Sequence, residues 1–467
     1  MFRSSLNSAL NVAANSLQAA SGGTAVVGEN ITGANDARYV RRSVRLETNP
    51  LGGAQAGGVR WTGTARAFDV FAFANLVGET ASRAAAEARA GALVEAEGAL
   101  APVSDATLAV AFDDFFAAFD RLGQTPDDPT ARATVLSSAD QVAARFVEAA
   151  NGLNSQRGTL FVEAQAVARE VDDRLAQIAR LNSRIAARPD ATSGRAELMD
   201  QRDALVREVA DRIDVSVLSD DDGQVTLLSG GTALLEGGRA ARLTVSLDPA
   251  QAMTVAVVRG ATTVDITGRL SGGRLAGLQE ARDLDVASLQ TQLDQLAFDF
   301  ADAVNTAHQG GVDLNGVAGD DFFTDPTGLP FLGADGAAAA FTVRPGLRAD
   351  PDAIAAATAT APPPGGNDTA LAISALATQG LASGRTPGEA FGDLAGDIGR
   401  RRVEADADLR LREGTVAFAL AEQQKSSGVS LEEELVELSR FQRAFEASTR
   451  VLQTIDELMD EVIRSIG

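Results

Sequence analysis

The 467-residue sequence contains no cysteine. Disulfide staples, thiolate nucleophiles and cysteine-ligated metals are therefore excluded. Histidine occurs once, as His308, with no second imidazole to share a metal. A lone histidine near a helix C-terminus reads as a structural or surface group. Lysine is nearly absent: of 41 basic residues only Lys425 is a lysine, and two glutamines precede it. That excludes a phosphate-binding glycine loop ending in Gly-Lys and leaves a poor Schiff-base candidate. No G-x-S-x-G nucleophile elbow is present. No run reaches about 18 apolar residues, so no membrane-spanning helix is expected. The opening MFRSSLNSALNVAANSL lacks the continuous apolar core of a cleaved signal peptide. Export, if it occurs, uses a route without one.

Acid dominates: 64 Asp and Glu give a net charge of −23. That argues against binding nucleic acid or an anionic membrane through a basic surface. Carboxylate pairs such as Asp113-Asp114 and Asp172-Asp173 fall on helical stretches, where a solvated face is the simpler reading than acid–base chemistry. Asp220-Asp221-Asp222-Gly223 reads as a turn. Asp313, Asn315, Asp320 and Asp321 are better spaced for a cation, but the glutamate that completes a calcium loop is missing. No cofactor, no metal and no enzymatic activity are expected.

The two ends carry the clearest pattern. Leu438, Phe441, Phe445, Ser448, Leu452, Ile455, Met459, Val462 and Ile466 step by 3 and 4, and only Ser448 among them is polar. Leu6, Leu10, Ala13, Leu17, Ala20, Thr24, Val27 and Ile31 step by 4 and 3. A sustained 3.5-residue repeat marks a helix that meets another helix along its length. Ser430, with Glu433 three residues on, is the expected N-cap of the second. The two ends read as matched halves of one coiled coil. Between them the pattern is helical to about residue 213, with breaks at 126–129 and near Gly158. The period then changes to 2, with a hairpin about residues 220–223 and further strands to residue 272. Helices resume from Arg274, and Pro362-Pro363-Pro364-Gly365-Gly366 connects to a helix from Thr369, a long helix from about Glu389 to Ser426 and the terminal helix. The expected fold is mainly α with an inserted β domain, a nested linear multi-domain arrangement. Residues 1–45 and 427–467 would form the terminal coiled coil. Residues 46–213, 273–310 and 367–426 would form a helical domain, and 214–272 a β-rich insert, with 311–366 as a candidate addition.

Three stretches carry a family resemblance. SGVSLEEELVELSRFQRAFEASTRVLQTIDELMDEVI is similar to the C-terminus of flagellar axial proteins, through Ser427, Gly428, Val429, Leu431, Glu433, Glu434, Phe441, Gln442, Arg450 and Asp456. The N-terminal stretch resembles the rod and hook motif through Leu17, Asn30, Ile31, Asn35, Tyr39 and Arg41; it departs at Asp36-Ala37-Arg38, where Thr-Pro-Gly is usual. LNSRIAARPDATSGRAELMDQRDALVREVADRIDVSV, centred on Asp200, Gln201, Arg202 and Asp203, resembles a block typical of hook-associated proteins of the FlgK type, as does DLNGVAGDDFF.

This resemblance implies a structural protein of the bacterial flagellum at the hook–filament junction. It implies assembly at the hook tip after type III export, terminal helices that order on assembly, and an extracellular location. The implied partners are hook protein, the next hook-associated protein, further copies in a ring, and an export chaperone at the C-terminal helix. Two other readings stay open at this point: another axial component, such as hook protein or flagellin, or a secreted helical enzyme or adhesin. The expected assembly interface is Leu6, Leu10, Leu17, Val27, Ile31, Leu438, Phe441, Phe445, Leu452, Ile455, Met459, Val462 and Ile466. Asn30, Asn35, Tyr39 and Asp200 to Asp203 are the expected structural motif, with Arg202 tying helix to strand layer.

Overall fold

A computed structural model describes residues 2–36, 38–50, 56–100, 107–188, 193–220 and 222–466. The first half comprises α1 (Phe2–Gly33), β1 (Arg42–Pro50), β2 (Ala56–Arg66), α2 (Val70–Leu100), α3 (Leu108–Gln124), α4 (Pro129–Ala186) and α5 (Ser193–Arg212). Seven short strands follow: β3 (Ser216–Ser219), β4 (Val225–Ser229), β5 (Thr232–Glu236), β6 (Arg239–Ala240), β7 (Arg242–Leu247), β8 (Met253–Arg259) and β9 (Thr262–Asp265). Then come α6 (Gly273–Glu280), α7 (Ala287–Gln309), β10 (Phe323–Thr324), β11 (Thr342–Val343), α8 (Pro345–Ala349), α9 (Asp368–Ala375), α10 (Pro387–Ser427) and α11 (Leu431–Ile466). The mainly helical fold with an inserted antiparallel β region matches the expectation from sequence.

The helical body is organised by α4, which runs 58 residues without interruption. Asp128 caps it, accepting the Thr130 N–H at 2.8 Å, and Pro129 opens its first turn. The break expected near Gly158 does not occur. One helical glycine costs only ~1 kcal/mol, and buried Leu153, Gln156, Leu160 and Ala164 carry the apolar stripe across it. Antiparallel to α2 lies α10: Thr415 reaches Glu79 at 2.7 Å and Arg402 reaches Glu97 at 2.6 Å. A phenylalanine cluster fills the centre. Phe112, Phe115, Phe300 and Phe323 pack at centroid separations of 4.8 to 5.6 Å, mostly tilted or edge-on.

The strands form a four-stranded meander, β3-β4-β5-β6, and a three-stranded one, β7-β8-β9, both antiparallel. Their alternation is clean: Met253, Val255 and Val257 of β8 point inward. They join the same apolar core as the helices. Asn182 on α4 pins the first meander, receiving the Val225 N–H and donating to Val225 and Gly237 carbonyls.

His308 is fully buried rather than on the surface. Its Nδ1 faces the Asp320 carbonyl at 2.5 Å, and its Nε2 accepts the Ala355 N–H at 2.9 Å. This is a neutral imidazole that ties two loops to α7, and burial holds its pKa below the usual histidine range. Asp313 spends its carboxylate on its own loop, accepting the Asn315 and Val317 N–H groups at 2.8 and 2.7 Å. That is a turn-forming role. Sequence reading missed Arg132. It is 1% exposed and donates only to backbone carbonyls, of Pro126, Pro351, Asp352 and Ile354.

Candidate assembly site at the joint of the terminal helices

The two terminal helices lie antiparallel within one chain. Asn30 meets Glu434, and Gly23 meets Phe441. Leu6, Leu10, Leu17 and Ile31 of α1 are half-buried and Val27 is buried; on α11, Leu438, Phe441, Leu452 and Met459 are half-buried and Ile455 is buried. Phe445 stands apart, with 42% of its surface exposed. A single partner helix covers only the middle of a heptad stripe, and a phenylalanine at its edge stays open. The side chains of Val462 and Ile466 lie outside the described residues.

Two adjacent glycines make the seam close. The Phe441 ring occupies the space that a Cβ on Gly23 would fill. The Trp61 ring, from β2, sits 2.8 Å from the corresponding point on Gly22. Thus α1 accepts an aromatic from each side: α11 on one, the β1–β2 hairpin on the other. Two glycines in mid-helix together cost ~2 kcal/mol in propensity; in exchange both rings reach the helix backbone. A Gly-Gly pair inside an apolar heptad was the available sequence signal for this close approach.

At the end of the seam a polar network joins helices, hairpin and body. Asn30 is 1% exposed. Its Oδ1 accepts the Arg42 N–H and the Tyr39 hydroxyl, each at 2.9 Å. Its Nδ2 donates to the Arg42 carbonyl at 2.8 Å and to Glu434 at 2.9 Å. Glu434, also 1% exposed, accepts Arg41 Nε at 2.6 Å. Burial of Tyr39 pushes its phenol up to about 12, so it stays a donor. The Arg42 guanidinium faces Glu29 at 2.7 Å and Asp200 at 3.4 Å. Arg66, at the end of β2, reaches Asp200 at 2.8 Å and Asp203 at 2.6 Å. Arg202 completes the chain of contacts, holding Asp203 through Nε and Nη2 at 3.0 and 2.7 Å and the Gly223 carbonyl through Nη1 at 2.5 Å.

Asp200, Arg202 and Asp203 are therefore buried and structural, linking α5 both to the hairpin and to the β3–β4 turn. Burial raises the Asp200 pKa to about 6, against the pull of Arg66 and Arg42. Gln201 is exposed and reaches only Glu197, at 3.3 Å, and Asn35 is exposed in the turn after α1. Neither enters the network. In the departure from the usual turn, Asp36 accepts the Arg38 N–H at 2.9 Å and pairs with its guanidinium at 3.1 Å; Ala37 lies outside the described residues. Sequence reading did not connect Arg41, Arg42, Arg66 and Glu434, because each alone looks like a surface charge. Their arrangement is mechanical. It ties the base of the paired terminal helices to the hairpin and to α5.

Residues 93–323 match the family described as the flagellar hook-associated protein FlgK helical domain, and 423–465 match that of the flagellar basal body rod FlgEFG protein C-terminal region. Flagellar hook-associated protein 1 of Escherichia coli is 26% identical over 98% of this chain and all of its own length. That of Bacillus subtilis is 26% identical over 98% of both. That of Salmonella typhimurium is 29% identical over 68% of this chain and 60% of its own. The Escherichia coli alignment spans 547 positions against 467 residues here, so that relative has insertions this chain lacks. A solved structure described as the flagellar hook junction protein FlgK from Burkholderia pseudomallei shares the fold, with a TM-score of 0.66 at 18% identity over 75% of this chain and 99% of that one. The match over 93–323 includes the Asp200–Asp203 block and decides against hook protein, flagellin and a secreted enzyme or adhesin. Over residues 93–323 the chain carries the helical domain of the FlgK family, and along its length it is similar to flagellar hook-associated proteins, structural components of the bacterial flagellum rather than enzymes.

Proposed function

We propose that the chain forms the structural junction between hook and filament, with its paired terminal helices in the tube wall and its body projecting outward. The surface of α11 carries this reading. Away from α1 it exposes Leu431, Leu435, Val436, Phe445, Val451 and Leu458, each between 42% and 68%. Apolar side chains spread along one helix at this exposure are unusual in a chain that works alone. Neighbouring subunits would cover them. We assign those neighbours as further copies in a ring, hook protein below and the next hook-associated protein above. Before assembly, an export chaperone would cover the same helix. The domain division follows the joint: the coiled coil of 1–45 and 427–467 is one unit, and the helical and β segments form the body. Among the described residues no helix is long and apolar enough to cross a membrane.

Phe445→Asp tests the assignment. The ring is already 42% exposed, so the folded chain tolerates the charge. In a strain lacking the native protein, the variant should be exported but fail to attach filaments. Normal filaments would remove Phe445 from the interface. Antibody-labelled electron microscopy should place the unaltered chain at the hook–filament boundary.

A further inference from the structure

A cleft of about 610 Å³ opens beside the joint, between the 33–41 turn, α5 and the α10–α11 linker. Its charged lining is nearly self-sufficient. Asp36 pairs with Arg38, Glu433 with Arg41, and Asp203 with Arg66 and Arg202. Lys425 pairs with Glu422. Among the described lining residues, Arg207 is the one cation with no hydrogen bond and no ion pair. We propose that this cleft is an inter-subunit socket in which Arg207 receives a carboxylate side chain from a second copy of the same chain.

Two observations support that occupant. The guanidinium is half-buried, and burial lowers its pKa. A partly desolvated cation that only the through-space pull of Asp203, Asp36 and Glu208 compensates is costly, and an arriving carboxylate adds the bidentate hydrogen bonds it lacks. The second observation is charge. The lining holds four cations, Arg38, Arg41, Arg207 and Lys425, against Asp36, Asp203 and Glu433, in a chain whose net charge is −23. A second copy therefore approaches the cleft with carboxylates in excess. The proposal rests on the junction reading, because only an assembly of copies brings a second chain to the joint.

The scarcity of lysine makes the test specific. Arg207→Lys is combined with Lys425→Arg in the full chain, so that position 207 holds the only side-chain amine. Flagella carrying an equal mixture of isotope-labelled and unlabelled chain are treated with a zero-length carbodiimide, which joins amines to carboxylates in contact. Mass spectrometry should show position 207 joined to an Asp or Glu peptide of the other isotopic form. Links confined to one isotopic form, links to another flagellar protein, or no link would each overturn the proposal. Flagella that lack the unaltered chain altogether would instead overturn the junction reading. Arg207→Glu should lower the number of attached filaments at least tenfold, and Arg207→Gln, which adds no negative charge beside Asp203, Asp36 and Glu208, should lower it as well while the purified chain stays folded. Full filament attachment with Arg207→Glu would also overturn the proposal.

Discussion

Asn30 and Glu434 are 404 positions apart and share a buried hydrogen bond of 2.9 Å. It closes the chain on itself at the point where both terminal helices meet the body. Each partner is fully engaged: Asn30 makes four hydrogen bonds, and Glu434 holds Arg41 as well. Asn30→Ala would leave the Arg42 backbone groups, the Tyr39 hydroxyl and one Glu434 oxygen without this partner. Unmade hydrogen bonds at a buried site cost ~1–3 kcal/mol each where water cannot enter. Hydrogen exchange should quicken across 6–33 and 431–455, with α3 and α4 unchanged, because opening is local to the joint. Unchanged protection in the terminal helices would show that the apolar seam alone holds them.

The glycines of α1 separate propensity from packing. Replacing a helical glycine by alanine normally stabilises by ~1 kcal/mol. Gly28→Ala should do so, since a Cβ there meets nothing within 4 Å. Gly23→Ala should do the reverse, by ~1–3 kcal/mol, because the Phe441 ring fills that space. Limited proteolysis of the two variants reads the contrast: slower cleavage at the ends for the first, faster for the second. The same sign for both would refute the close seam.

Arg202→Ala should lower the melting temperature of the full chain by several degrees. The side chain is 3% exposed and bridges Asp203 to the Gly223 carbonyl. Removing one partner of a buried ion pair typically costs ~3–5 kcal/mol; Arg66 still holds Asp203 and moderates the loss. A superimposable melting curve would show that the bridge contributes nothing net.

What could be read from the sequence follows from range. The heptads of α1 and α11 were legible because a 3.5-residue repeat is written locally in each segment. The hairpin of β3 and β4 was legible for the same reason, from alternation and an acidic turn. The polar joint was not. Its members, Arg42, Arg66, Asp200 and Glu434, come from four elements, and only the fold shows that they are buried together. The break expected in α4 failed because a glycine is a weak local signal and the continuous apolar stripe is a strong tertiary one. Phe445 fitted the repeat as well as Phe441 did, but only Phe441 has a glycine opposite. The repeat records the direction of a side chain, not the depth of its seat.

The pH dependence of the joint has a definite sign. In the unfolded chain an aspartate titrates near 3.9; in the fold, burial moves Asp200 to about 6. A carboxyl with a raised folded pKa contributes stability that is present below about pH 4 and lost as pH climbs through about 6. The separation corresponds to at most ~3 kcal/mol. Asp200→Asn is neutral throughout and removes this slope. His308, whose lowered pKa gives stability above about pH 6.5 that is lost toward acid, is common to both proteins and cancels in the comparison. The melting temperature of Asp200→Asn relative to the unaltered chain should therefore rise between pH 4 and pH 7. A difference that falls over this range would mean that Arg42 and Arg66 outweigh burial, and that the charged form of Asp200 is the one the joint was built to hold.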